Sequence, residues 1–278
     1  MKKFLALLSC AVLMAATAVG CGSQNEKITV VAREDGSGTR SAFSELMGVV
    51  KDDKDNTTDT AEVTNSTSVM LTTVAGNKAA IGYVSLGSLN DTVKAVKVDG
   101  VEATAENVKA GKYAVSRPFN IVTGKDLTPL AQDFISYILS TDGQAVVDEK
   151  GYISVTQGEA YKASGQTGTL TIAGSTSVAP LMEVLADKYM ALNSGVKIEI
   201  QQSGSSAGIT SAVEGVCQIG MASRELKDSE TAKGVTAIKI AMDGIAVIVN
   251  KDNSYSELTS DQIRKIYTGE TTQWSDLK

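Results

Sequence analysis

Histidine is absent from all 278 residues. With it go the Ser-His-Asp and Cys-His arrangements of nucleophilic catalysis, the commonest general base and the commonest zinc ligand. Aromatic side chains make up only 5% of the chain, which disfavours a stacking platform for single-stranded nucleic acid or sugars. Positive charge is in deficit: 26 Lys and Arg face 32 Asp and Glu, a net charge of −6. Binding to a phosphate backbone needs clustered positive charge, so no nucleic-acid partner is expected. Cysteine is scarce too, with three in the chain, at positions 10, 21 and 217. Cys217, between Val216 and Ile219, reads as a small buried hydrophobe rather than a reactive thiol. What remains is ordinary globular material, 42% hydrophobic and 21% charged, long enough for two domains.

The chain opens with Lys2 and Lys3, an apolar run Phe4–Val19, and Gly20-Cys21. That run is too short to span a bilayer comfortably, so residues 1–20 read as an export signal. The cysteine at the cleavage point resembles a lipoprotein signal, in which the new N-terminal cysteine is acylated; Ala18 stands where such signals most often have leucine. The expected mature protein is extracytoplasmic and anchored to the cell membrane by a lipid on Cys21. No other stretch is apolar for long enough to cross a membrane.

Apolar runs predict strands at Ile28–Ala32, Leu170–Ala173, Val196–Gln201, Ala237–Ala241 and Ile245–Val249. Spacings of three and four predict helices through Phe43, Leu46 and Met47, through Leu130, Phe134 and Ile138, through Leu181, Met182, Leu185 and Tyr189, and through Ile263, Ile266 and Tyr267. Strands alternating with helices argue for α/β layers. The polar stretch Thr156–Gly168 reads as a linker, and Lys51–Asp59 as a solvated loop.

Three strands are each followed by small hydroxyl and glycine residues and then by a helix. The segments are Arg33-Glu34-Asp35-Gly36-Ser37-Gly38-Thr39, Gly174-Ser175-Thr176-Ser177 and Ser203-Gly204-Ser205-Ser206. One such segment alone is usually a cap or a turn. Three in one chain, one of them beside an arginine, point to a site for an anion. Each helix start offers unpaired backbone N–H groups and the positive end of the helix dipole, and Arg33 adds a planar fork of charged donors. Asp35, two residues on, reads equally as the partner of that guanidinium and as a turn residue. No P-loop ending and no G-x-G-x-x-G helix start accompanies these loops, and no histidine activates their hydroxyls. The site is built to hold an anion rather than transform it, and needs neither cofactor nor metal.

The segments TIAGSTSVAPLMEVLADKYM, QQSGSSAGI, IGMASRELK, ITVVAREDGSGTRSAF and TTVAGNKAAIGYVSLGSL together resemble the phosphate-binding lipoproteins of bacterial ABC-type phosphate uptake systems. The resemblance spans nearly all of the chain beyond the signal. It implies a two-lobed α/β fold of the type II periplasmic-binding-protein kind, with two crossing strands joining the lobes and the anion between them. Mapped residue by residue, it implies phosphate ligands at Arg33, Ser37, Gly38 and Thr39 from one lobe and at Thr176, Ser177, Ser205 and Ser223 from the other. Some family members carry an aspartate at the position aligned here with Ser223, so rejection of sulfate rests on a hydroxyl in this chain. In that family the GSTS segment comes first, whereas here DGSGTR does. The chain therefore reads as circularly permuted, joined through residues 156–168. One lobe would comprise residues 27–117 plus 250–278 and the other 118–249, with crossings near Arg117–Val122 and Ile245–Asn250. The implied function is extracytoplasmic phosphate binding and delivery to the membrane permease of an ABC transporter. Sulfate or molybdate binding is the nearest alternative; a phosphate-ester hydrolase and a signalling lipoprotein without transport are more distant ones.

Overall fold

The structure, a computed structural model, describes residues 26–156 and 158–277. The expected signal segment and Cys21 lie outside them. One nine-stranded mixed sheet runs through the molecule. Its order is Gly195–Gln202, Thr167–Gly174, Ile219–Ala222, Ser116–Thr123, Thr236–Asn250, Ala80–Ser85, Thr29–Arg33 and Glu62–Thr64, with Val93–Ala95 also paired to Thr236–Asn250. Pairing is parallel towards both ends and antiparallel at the middle, where Ser116–Thr123 and Thr236–Asn250 lie side by side.

These two middle strands pass from one hydrophobic core into another. Phe119, Ile121, Ile240 and Ala241 pack with Phe134, Ile138, Leu185 and Tyr189. Val115, Ile245, Val247 and Val249 pack with Ile28, Phe43, Tyr83 and Tyr267. Core membership therefore changes across Ser116–Pro118 on one strand and across Met242–Gly244 on the other. The second change falls short of the expected crossing at Ile245–Asn250. Residues 245–249 belong with the first lobe: Ile245, Val247 and Val249 pack with Phe43 and Tyr83, and Ala246 and Ile248 pack with Val31 and Met70. The predicted strands Ala237–Ala241 and Ile245–Val249 are one strand, joined through Met242-Asp243-Gly244.

The sequence-predicted helices form where the spacing placed them, at Gly38–Leu46, Pro129–Leu139, Ala179–Leu192 and Ser260–Tyr267. Their apolar stripes carry the buried rings of Phe43, Phe134, Tyr137, Tyr189 and Tyr267, and Phe43 stacks on Tyr83 at 4.0 Å between centroids. Cys217 is buried and free, and burial pushes its thiol up. The loop expected at Lys51–Asp59 contains a tight hairpin, Val50–Lys51 with Lys54–Asp55, turning through Asp52 and Asp53 at φ 53° and 58°. Its charges are not all solvated: Asp55 accepts from Arg40 Nε at 2.8 Å.

Among its described residues the segment expected as a linker has no regular structure up to Gln166, and the strand begins at Thr167, one residue before the expected end. It is pinned at several points: Thr141 donates from N–H and Oγ1 to the Glu159 and Gly158 carbonyls, Tyr161 N–H donates to Asp142 Oδ2, and two of its side chains meet Asp133. Asp133 Oδ2 accepts hydrogen bonds from Tyr161 Oη at 2.6 Å, Tyr189 Oη at 2.6 Å and Ser164 Oγ at 2.7 Å. Burial pushes the Asp133 carboxyl up, but the three hydroxyl donors outweigh that and hold it below the usual carboxylate range. Asp133→Ala is expected to lower stability by about 1–3 kcal/mol in urea unfolding at neutral pH. A carboxyl with a depressed pKa contributes above its unfolded value and loses that contribution as pH falls through the folded one. The gap between variant and wild type should therefore shrink on acidification below about pH 4.

Candidate functional site

Four helices begin on the line where the lobes meet, two from each side. Gly38–Leu46 and Thr67–Gly76 come from the first lobe, and Ala179–Leu192 and Ser205–Val213 from the second. The first-turn amides of each lack an intrahelical acceptor, and each helix start carries roughly half a unit of positive charge. Glycine makes the approach possible. A Cβ on Gly38 would meet Ser205 Oγ and lie 2.6 Å from Ser223 Oγ, so only a hydrogen fits there. Gly36, at φ +85°, turns the loop so that its carbonyl accepts from Ser206 N–H across the cleft at 3.0 Å.

The hydroxyls close into two linked groups. In the first, Thr39 Oγ1 and Ser177 Oγ lie 2.8 Å apart, and Thr67 Oγ1 lies 3.2 Å from both Thr176 Oγ1 and Ser177 Oγ. Arg33 joins them, donating from Nη2 to Thr176 Oγ1 at 3.0 Å. In the second, Ser175 Oγ donates to Ser223 Oγ at 2.9 Å, while Ser205 Oγ accepts from Ser223 N–H at 3.2 Å. These side chains are buried, Ser205 and Ser223 completely. Each hydroxyl both donates and accepts, so the ring can exchange its internal bonds for bonds to a guest.

Of the residues singled out from sequence, Arg33, Gly38, Thr39, Thr176, Ser177, Ser205 and Ser223 converge here. Ser37 instead caps the helix Gly38–Leu46, its Oγ accepting from Arg40 N–H at 3.3 Å. The partnership with Arg33 left open for Asp35 is taken by Glu34, whose two oxygens accept from Arg33 Nε and Nη2 at 2.8 Å each. Asp35 turns outward, almost fully exposed, and pairs with Arg40. Arg224, which follows Ser223, is forked onto Glu230 at 2.7 and 2.8 Å and reaches Ser206 rather than the ring. Sequence reasoning missed Thr67 and Ser175. Ser175 stood inside a hydroxyl-rich helix start, and Thr67 follows Asn65-Ser66 with the same signature as the other helix starts.

No group of His, Cys, Asp and Glu among the described residues could hold a metal ion, and no helix among them is long and apolar enough to cross a membrane.

A family model described as the PBP superfamily domain matches residues 18–142 and 160–278. A phosphate-binding protein PstS 2 of Streptococcus agalactiae is 52% identical over 288 residues, 99% of this chain and 98% of the relative. One from Streptococcus pneumoniae is 45% identical over 273 residues, 94% of each chain. The chain belongs to the PBP superfamily and, within it, to the PstS family. A crystal structure of a phosphate ABC transporter phosphate-binding protein from Streptococcus pneumoniae is 46% identical, covers 91% of this chain and 100% of its own, and superposes with a TM-score of 0.73. The match with the Streptococcus agalactiae relative runs over nearly the full length of both chains.

Gly38→Ala is expected to keep the lobes from meeting. Anion binding should weaken at least about tenfold in calorimetry, with the melting temperature little changed, because the added methyl clashes only across the cleft.

Proposed function

We propose that this protein binds inorganic phosphate outside the cytoplasm and delivers it to the permease of an ABC transporter. The observation that carries the reading is the hydroxyl ring in which Arg33, Thr39 and Thr67 of one lobe meet Thr176 and Ser177 of the other, with Gly38 set against Ser205 and Ser223. Full-length likeness to proteins named for phosphate binding supports it. In this reading phosphate takes its donors from Arg33, from the backbone amides of Gly38, Thr39 and Ser177, and from the ring hydroxyls. The proton that phosphate carries at neutral pH goes to a hydroxyl oxygen, for which Ser223 is the candidate. Because donors come from both lobes, the anion's shell is complete only in the closed form, and release follows opening.

The protein works as a carrier and breaks no bond. The chain has no histidine, and Glu34, beside the ring through Arg33, is engaged on both oxygens by that arginine. Residues 1–20 act as a signal and Cys21 carries the lipid that tethers the protein to the membrane beside its permease.

Calorimetry of the unlipidated chain tests the assignment. Phosphate should bind one to one and survive a large excess of sulfate. Arg33→Ala should cost about 2–5 kcal/mol, a loss of roughly 30-fold or more, since it removes the charged fork and leaves Glu34 unpaired. Equal displacement by sulfate would move the assignment to tetrahedral oxyanions in general, and no heat with either anion would overturn it.

A further inference from the structure

We propose that Arg117 and Asp243 are a positioning pair that ties the angle between the lobes to the placement of Ser223 in the anion ring. The proposal rests on the phosphate reading and adds to it the device by which closure is coupled to the site.

Arg117 and Asp243 sit directly opposite each other in the antiparallel register of the two crossing strands, where core membership changes. Arg117 donates to Asp243 Oδ2 from Nε at 3.3 Å and from Nη2 at 3.1 Å, with both side chains at most 2% exposed. What is left of each group reaches in opposite directions. Arg117 Nη1 donates to the carbonyl of Ser223 at 2.9 Å, while Asp243 Oδ1 accepts from Ser85 Oγ at 2.9 Å. Ser85 ends the strand Ala80–Ser85 of the first lobe, and Ser223 follows the strand Ile219–Ala222 of the second. The chain Ser85–Asp243–Arg117–Ser223 thus runs from lobe to lobe through the crossing and ends on a member of the ring.

A buried ion pair is weak evidence for stability, because desolvation offsets much of its attraction, so its persistence here calls for another role. The geometry supplies one. The guanidinium fork divides its donors, Nε and Nη2 on the carboxylate and Nη1 on the Ser223 carbonyl, in a fixed planar geometry that a point-charge ammonium does not reproduce. The ring of Phe119, 5.2 Å from the Arg117 guanidinium carbon, supports the fork from one face.

Asp243 is the acid of the pair, and burial disfavours its charged form. Burial pushes its carboxyl up to about 6, against the pull of Arg117 and the hydrogen bond from Ser85. The other ionisable groups bearing on the pair are Tyr152, which faces both members, and Arg33, which acts on Arg117. Above that pH the carboxylate holds the fork; below it the proton weakens the hold.

The test measures phosphate affinity by calorimetry and melting by circular dichroism for wild type, Arg117→Lys, Asp243→Asn and Ser85→Ala. Arg117→Lys keeps the charge and loses the reach to Ser223; it should weaken phosphate binding at least about tenfold at pH 7.5. The ratio of wild-type to Asp243→Asn affinity, in which the ionisation of phosphate itself cancels, should be large at pH 7.5 and approach one near pH 5. Ser85→Ala disturbs neither charge, so it keeps the test open should a charge variant fail to fold, and it should weaken binding severalfold. Lowered melting with affinities and pH profile unchanged would reduce the pair to a structural one and overturn the proposal. A wild type that binds no phosphate at any pH would overturn the underlying reading first.

Discussion

Four helix starts facing one another are an electrostatic problem before they are a binding site. Each brings the same sign of partial charge, and nothing in a helix neutralises its own first turn. The protein meets this with lone pairs. Hydroxyl oxygens from Thr39, Thr67, Thr176, Ser177, Ser205 and Ser223 fill the space between the ends, and Glu34 matches Arg33 in charge. The two lobes are thus held together by groups that an oxyanion can replace one for one. A net charge of −6 on the whole chain does not conflict with this, since the local potential is set by backbone amides and one guanidinium while net charge governs solubility and long-range approach.

Much of the site was legible in the sequence because helix starts announce themselves chemically. Only Gly, Ser and Thr combine tight approach, free amides and short hydroxyls, and three such loops stood out. Thr67 escaped because Thr67–Gly76 is almost continuously apolar or β-branched, a composition that reads as strand as readily as helix. Choosing between Glu34 and Asp35 as the partner of Arg33 was beyond any spacing rule; the turn at Gly36 decides which carboxylate faces inward. The same limit hid the crossing. Met242-Asp243-Gly244 looks like a turn between two short strands, and only pairing with Ser116–Pro118 makes it the middle of one long strand.

The two-lobed fold was legible as a whole, while its seam was displaced. Alternating strands and helices gave the layers, and the family resemblance gave the two lobes. Where one core ends and the next begins depends on which side of a continuous sheet each side chain faces, and Ile245, Val247 and Val249 fall with Phe43 and Tyr83. Many functions share a fold, so the assignment leans on the ring rather than on the layers.

The irregular segment ahead of Thr167 separates two stretches of chain, yet each core draws on both. Phe119 and Phe134 lie before it and Leu185 and Tyr189 after it in one core; Phe43 and Tyr83 lie before it and Tyr267 after it in the other. The strand Ser116–Thr123 is even inserted between two strands from the far side of the segment. A cut there would release neither lobe. It would leave two interleaved polypeptides, each unable to complete a core alone, whose reassembly rebuilds the anion ring. That makes the molecule a natural candidate for a split reporter.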